Sequence, residues 1–404
     1  MSDAYFGLPE RVVFCKHCVI SNQRPSSSVE FKHKRDERKA TIGFDDEGVC
    51  DACRYHEMKE GQVDWVRREQ ELVKMLGTHR RNDGGYDIIV PGSGGKDSAF
   101  TSHILKYKYG MNPLTVTWAP HRYTEIGWRN FEKWIHVGGM DNILFTPNGR
   151  LHRYLTRQAF LNLLHPFQPF IVGQRIIGPL MAAKFGVKLV MYGENQAEYG
   201  NNLAENYKST MDRKFFSVGD TSEMILGGKP VSEIIEEEQF TLNDFTPYIP
   251  PSADYLESRG VEVQYLGYYL KWDPQECYYY AAEHTGFESN SERTEGTYSK
   301  YSSIDDRIDM FHYYTTLIKF GIGRATYDAA QEIRNGKITR EEGVNLVRKY
   351  DQEFPRKYFG DFLDYIGISE ETFHSTVDKF RSPHLWTHED GIWKLRYSVW
   401  SDVL

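Results

Sequence analysis

The stretch Asp87-Ile88-Ile89-Val90-Pro91-Gly92-Ser93-Gly94-Gly95-Lys96-Asp97-Ser98 decides the fold of this 404-residue chain. Four residues that read as a buried strand run into a glycine-rich turn, and the turn runs into a helical stretch from Ser98 to Tyr109 that Gly110 closes. That order builds an anion site. Glycines let backbone N–H groups approach an oxyanion, and the helix N-terminus adds the positive end of its dipole. Ser93 and Ser98 add hydroxyl donors and Lys96 a mobile cation. An acidic Asp97 beside bound phosphates makes sense chiefly when magnesium bridges them. The spacing is not that of a Walker A loop. The alternative is a tight strand-to-helix turn that is merely rich in glycine and serine.

Working outward, short apolar runs alternate with helical periods. Leu114–Trp118, Asn142–Phe145 and Val187–Tyr192 read as strands. Ile126–Val137, Leu151–Leu164 and Ile176–Phe185 read as helices, the last capped by Gly186. Strands alternating with helices of this length predict an α/β doubly wound parallel sheet, with ligands beyond the strands' carboxyl ends. The segment after Tyr192 makes Gly193, Glu194, Asn195 and Glu198 candidates for magnesium, ribose or substrate contacts, with a solvated loop as the alternative.

Three zones follow: 1–60, 61–202 and 203–404. The first holds Cys15/Cys18 and Cys50/Cys53 around the polar insert FKHKRDERKATIGFDDEG, which needs a metal or a neighbouring domain to hold it. Two Cys-x-x-Cys knuckles suit one tetrahedral zinc ion. A redox or sulfur-transfer role is the competitor. Cys277 reads as a small buried hydrophobe. A helix from Val63 to Leu76, closed by Gly77, leads into the core. The third zone reads as mainly helical, with a strand in Val261–Tyr269 and helices at Asp305–Ile318 and Thr326–Ile333. A capping box at Thr339–Glu342 starts a further helix. The net charge of -8 speaks against nucleic acid as a partner. Without an apolar run long enough for a membrane span, the expectation is a cytoplasmic protein.

The string Ser93-Gly-Gly-Lys-Asp-Ser98 matches the signature of the PP-loop ATP pyrophosphatases, the adenine-nucleotide alpha-hydrolase superfamily. That resemblance implies ATP binding by residues 91–98 with Gly193, Glu194 and Asn195, and AMP transfer to substrate with release of pyrophosphate. Taken with FCKHCVISNQRPS at the start, CDAC at 50–53, YGEN at 192–195 and KFGIGRATYDAAQEIRNGKITREEG at 319–343, the chain resembles the N-acetyl sugar amidotransferases. These make acetamidino sugars for bacterial surface polysaccharide and for nonulosonic acids such as pseudaminic acid.

The resemblance implies an ATP- and magnesium-dependent enzyme with a structural zinc. Lys96 and Asp97 are its catalytic pair, and Asp97 and Glu194 its candidate magnesium ligands. It implies an N-acetylated sugar substrate, nucleotide-linked or a nonulosonic acid, and ammonia supplied by a glutaminase and a channel-forming subunit. Glu198, Arg293, Thr294, Glu295, Gly296, Asp305, Asp306, Arg307, Lys319 and Arg324 are candidate contacts for such a sugar. The rival enzyme is a PP-loop tRNA-modifying enzyme that thiolates or attaches lysine. A non-catalytic ATP-binding partner subunit is the further alternative.

Overall fold

The computed structural model describes residues 3–27, 29–33, 37–201, 207–217 and 224–401. Its centre is a parallel five-stranded sheet of β1 (Ile88–Pro91), β2 (Pro113–Trp118), β3 (Asp141–Phe145), β4 (Leu189–Tyr192) and β7 (Glu262–Tyr265), in the order β3-β2-β1-β4-β7. Two-residue strands β5 (Ile225–Leu226) and β6 (Lys229–Pro230) form a separate ladder. Both faces of β1 are covered, which is why its sequence is a continuous apolar run. Ile89 packs with Leu114, Val116, Ile176 and Ile177 on one face. Ile88 and Val90 pack with Leu105, Leu189 and Met191 on the other. Each such side chain contributes roughly 1.5–3 kcal/mol on burial.

Helices α2 (Trp65–His79), α3 (Lys96–Tyr107), α4 (Glu125–His136), α5 (Gly149–Leu163) and α6 (Gln168–Phe185) occupy the regions the periodicity anticipates, α6 starting well before Ile176, whereas α1 (Asp51–Gln62), which begins at the second cysteine pair, is not anticipated. Three further details differ. Helix α2 runs through Gly77 to His79, and Asp64 caps its start by accepting from the Arg67 amide at 3.0 Å. Only Glu262–Tyr265 of the stretch 261–269 is a strand; Leu266–Tyr269 turns into a helix. That strand pairs with β4 through Leu189↔Glu262 to Tyr192↔Tyr265, so the sheet takes its last strand from beyond position 202. The boundary drawn at 202/203 falls on 202–206, outside the described residues, as do residues 34–36 of the insert.

The third zone is mainly helical, with helices Asp309–Phe320, Arg324–Arg334, Arg340–Tyr350, Phe359–Ile366 and Glu370–Lys379. Thr339 and Glu342 form the anticipated capping box. Phe311, Phe362 and Phe373 of this zone share one continuous core with Cys15, Ile20 and Ile42 of the first. The insert therefore has a neighbouring domain to lean on. Arg340 donates to the carbonyls of Cys18 and Cys15 at 3.2 and 3.3 Å, tying the first knuckle to the helix that follows Thr339.

Candidate active site

In the order β3-β2-β1-β4-β7 the chain reverses direction of winding between β1 and β4, and ligands of such sheets bind at that switch point. Both sequence-derived segments lie there. The loop 92–95 leaves β1 and Gly193–Asn195 leaves β4. Gly95 caps α3 without a side-chain hydrogen bond. The first-turn amides of α3 therefore have no intrahelical acceptor and point to a prospective anion. Gly94 has φ +81°, and a Cβ on it would stand 2.9 Å from the Phe131 Cα, so the loop needs glycine there. Ser98 Oγ accepts from the Gly94 amide at 3.2 Å and donates to the Gly95 carbonyl at 3.1 Å, fixing the turn.

The Lys96 ammonium lies 2.7 and 2.5 Å from the two Asp97 oxygens. Burial works against its charge, but Asp97 and Glu194 outweigh it and the lysine stays protonated with a raised pKa. Glu194 accepts from the Tyr199 hydroxyl. Burial first, and then the Asp97 charge, hold its carboxyl above the usual range. A carboxyl whose charge is disfavoured by burial and by a neighbouring carboxylate beside a phosphate loop is what a divalent cation would relieve.

Three cavities meet here. One of about 170 Å³ is lined by the loop residues Ser93–Asp97 together with Asn130, Asp305 and Arg324. A second, about 230 Å³, lies over the carboxyl ends of β1 and β2 and is walled by Pro91, Val116, Trp118, Phe170 and Ile177. The largest, about 380 Å³, shares Lys96, Asp97 and Arg324 with the first and extends to the first zone and the helices 309–320 and 324–334.

The remaining candidates divide. Asp305 faces the loop at Ser93, and its carboxyl is raised by burial and by Asp306. Arg324 lies 3.0 Å from Asp328, without hydrogen-bond alignment, and 4.4 Å from the centre of the Tyr313 ring. Lys319 is buried between Glu30 and the Leu163 carbonyl, and burial pulls its pKa down to about 8. Lys319 and Arg324 both line the 380 Å³ cavity.

The others serve the architecture. Asp306 accepts from His121 Nδ1 and the His121 amide, both at 2.7 Å, and Arg307 pairs with Asp361 at 3.0 Å. These contacts dock the segment 304–307 on the loop after β2 and on the first turn of α4, where a Cβ on Gly127 would meet the Asp305 Cα at 2.4 Å. Arg293 is held bidentately by Glu353 at 2.6 and 2.7 Å. Thr294 Oγ1 donates to the Ser302 carbonyl, and Glu295 accepts from the Lys357 amide. Arg293, Thr294 and Glu295 border a separate cavity, and the Gly296 amide donates to Glu353. Asn195 braces its own loop, accepting from the Ala197 amide at 2.9 Å and donating to the Lys208 carbonyl at 3.0 Å. Glu198 is buried against Lys59, at 2.9 Å.

Cys15, Cys18, Cys50 and Cys53 are all buried, with their sulfurs within 4.8 Å of one another. The Cys18–Cys50 and Cys15–Cys53 Sγ distances are 3.8 and 3.9 Å. A tetrahedron with zinc–sulfur bonds of about 2.3 Å has edges of about 3.8 Å, so the donor set fits zinc. Cys277 is buried, and burial and Asp97 keep its thiol well above the ordinary value. It lies close to the loop, where burial disfavours the thiolate a nucleophile would need.

Arg24, Arg175, Tyr199 and Tyr313 also line the 380 Å³ cavity, and none was among the sequence candidates. Arg175 carried a signal, as a charge within the apolar run of α6.

No curated protein matches the chain. Among solved structures, it is similar to an NH3-dependent NAD synthetase from Campylobacter jejuni subsp. jejuni NCTC 11168, determined with nitrate ion. The identity is 14% and the TM-score 0.26, over 35% of this chain and 59% of that one. It is also similar to an NMN synthetase from Francisella tularensis, with 12% identity and a TM-score of 0.29, over 77% of this chain and 97% of that one. Residues 295–399 match the family model described as LPS biosynthesis protein WbpG-like, C-terminal domain, in keeping with the sugar amidotransferase resemblance.

Proposed function

We propose that the protein is an ATP-dependent amidotransferase that converts an acetamido group of a sugar into an acetamidino group, in the synthesis of bacterial surface polysaccharide or nonulosonic acids such as pseudaminic acid. The observation that carries this reading is the sharing of Lys96 and Asp97 between the phosphate-loop cavity and the larger one. A nucleotide held on the loop would present its α-phosphate to whatever fills the neighbouring space. The similarity of residues 295–399 to an LPS biosynthesis domain supports a sugar as the occupant.

An amide carbonyl is a poor electrophile. In this reading its oxygen attacks the α-phosphorus and pyrophosphate leaves, giving an O-adenylyl imidate. Ammonia then attacks the imidate carbon, AMP departs with the former amide oxygen, and a proton is lost to leave the amidine. The first-turn amides of α3 and Lys96 stabilise charge on the phosphates. Magnesium, held by Asp97 and Glu194, would supply further charge neutralisation. The apolar walls of the 230 Å³ cavity suit the adenine ring. Zinc on the four cysteines would hold the first zone together. Ammonia would come from a glutaminase through a channel-forming subunit, in the cytoplasm.

The test supplies purified protein with magnesium-ATP, an ammonium salt and a nucleotide-linked diacetamido sugar or a nonulosonic acid. Release of AMP and pyrophosphate, with one sugar oxygen exchanged for NH by mass spectrometry, is the expected result. AMP formation that ignores sugars and responds to tRNA would refute it.

A further inference from the structure

The wall of the 380 Å³ cavity is rich in cations, and most of them have carboxylate partners. Lys96 has Asp97, Lys39 and Lys319 share Glu30, Arg324 has Asp328, and Lys337 has Asp273 and Glu276. Arg24 and Arg175 differ. Among the described residues neither has a carboxylate within ion-pair distance. Arg24 is only 4% exposed. Its Nη1 donates to the Pro25 carbonyl and its Nη2 to the Ser27 hydroxyl, both at 3.3 Å. Arg175 donates one Nη2 hydrogen to the Ser27 carbonyl. A guanidinium has five N–H donors, so most of this donor capacity is uncommitted.

The two side chains come from distant parts of the chain, the loop after the first cysteine knuckle and α6. They converge on one residue, Ser27, whose amide donates to Asn201 Oδ1 at 3.0 Å. Burial depresses both guanidinium pKa values. A buried cation without a counter-charge destabilises a fold, and a site that keeps two together is built to receive a negative group. Arginine's planar fork matches carboxylate and phosphate oxygens alike. The nucleotide already has the phosphate loop, and neither arginine lines the loop's own cavity.

We propose that Arg24 and Arg175 form an anion subsite that binds a carboxylate or phosphate group of the substrate while its reacting group lies at Lys96. The identity of the substrate as an N-acetylated sugar rests on the proposed function; the need for an anion rests on the cavity alone. The first zone then shapes the substrate site as well as holding a metal.

The experiment titrates the full-length, metal-loaded protein with N-acetylneuraminate as carboxylate probe, UDP-N-acetylglucosamine as phosphate probe and N-acetylglucosamine as neutral probe, alongside ATP. Losing charge-assisted hydrogen bonds of this kind weakens binding by roughly 10- to 100-fold. Arg24→Gln and Arg175→Gln are each expected to weaken at least one anionic probe by that much. ATP and the neutral probe should move less than about twofold, and Arg175→Lys should recover part of the loss. A preference for the carboxylate probe identifies a sugar acid, and for the phosphate probe a nucleotide-linked sugar.

Anionic probes that bind no better than the neutral one, or that ignore both substitutions, overturn the proposal. Equal loss of ATP binding also overturns it, by assigning the arginines to the nucleotide. If Arg24→Gln does not fold, as read by metal content and thermal unfolding, Arg175→Gln and the salt dependence of the intact protein decide on the same criteria. Intact anion binding without AMP release would refute the amidotransferase reading and leave the subsite standing.

Discussion

Replacing Lys59 by Met tests how the first zone is joined to the nucleotide site. The Lys59 ammonium, 1% exposed, lies 2.9 and 3.0 Å from the two oxygens of Glu198 and 3.3 Å from the Trp272 carbonyl. Removing it leaves the Glu198 carboxylate buried without its cation, and breaking such a pair costs about 3–5 kcal/mol. That is a large fraction of the roughly 5–15 kcal/mol that holds a domain together. Arg334 reaches only the Glu198 carbonyl, at 3.2 Å, so it offers little compensation. The double variant Lys59→Met/Glu198→Leu removes both charges and should recover most of the loss, because an apolar pair is often no worse than a buried ion pair. Urea unfolding followed by tryptophan fluorescence gives the cycle, with an expected coupling of about 2–4 kcal/mol. Glu198 and Tyr199 share the turn Gln196–Tyr199, and Tyr199 holds Glu194. Lys59→Met should therefore also weaken ATP binding. A single-variant cost below about 1 kcal/mol, or single costs that simply add, would refute the reasoning.

Cys50→Ser should lower the bound metal measured on purified protein and loosen the segment that carries Arg24; a retained fold with no metal in the unsubstituted chain would remove the zinc assignment. Gly94→Val puts a branched side chain at φ +81° with its Cβ 2.9 Å from Phe131, so ATP binding by calorimetry should fall below detection, and wild-type affinity would contradict the loop geometry. Burial first and Asp305 second push Asp309 up to about 7, so the folded state holds its proton longer than the unfolded state does. Its contribution to stability is present at low pH and lost as pH rises from the ordinary carboxylate range through about 7. Asp309→Asn should flatten that decline and stabilise the protein above pH 7 in urea titrations, and an unchanged pH slope would contradict the assignment.

Strands β1, β2, β3 and β4 were legible because runs such as Ile88-Ile89-Val90 between helical periods have few other solutions, and the loop was legible because glycine, serine, lysine and aspartate fall where strand becomes helix. The last strand was harder to see. Glu262–Tyr265 is short, includes the polar Gln264, and is separated from β4 by a long stretch of sequence. Gln264 is buried there because the Tyr269 hydroxyl donates to it at 2.6 Å, a partner that periodicity does not reveal.

The same limit governs the charges. Arg293 and Arg307 look like ligand contacts in sequence, as Arg24 and Arg175 do not, yet the first two are neutralised by Glu353 and Asp361, which lie 60 and 54 residues away. Whether a cation is free to meet a ligand depends on which carboxylate the fold delivers to it, and that is a property of long-range packing. Here the packing is one core that joins the cysteine knuckles to the C-terminal helices. Disturbing the knuckles should therefore be felt at Arg24 and, through Lys59 and Glu198, at Glu194. The first zone and the nucleotide site are expected to respond together, because Lys59 ties α1 to the Glu198 turn and to the Trp272 carbonyl.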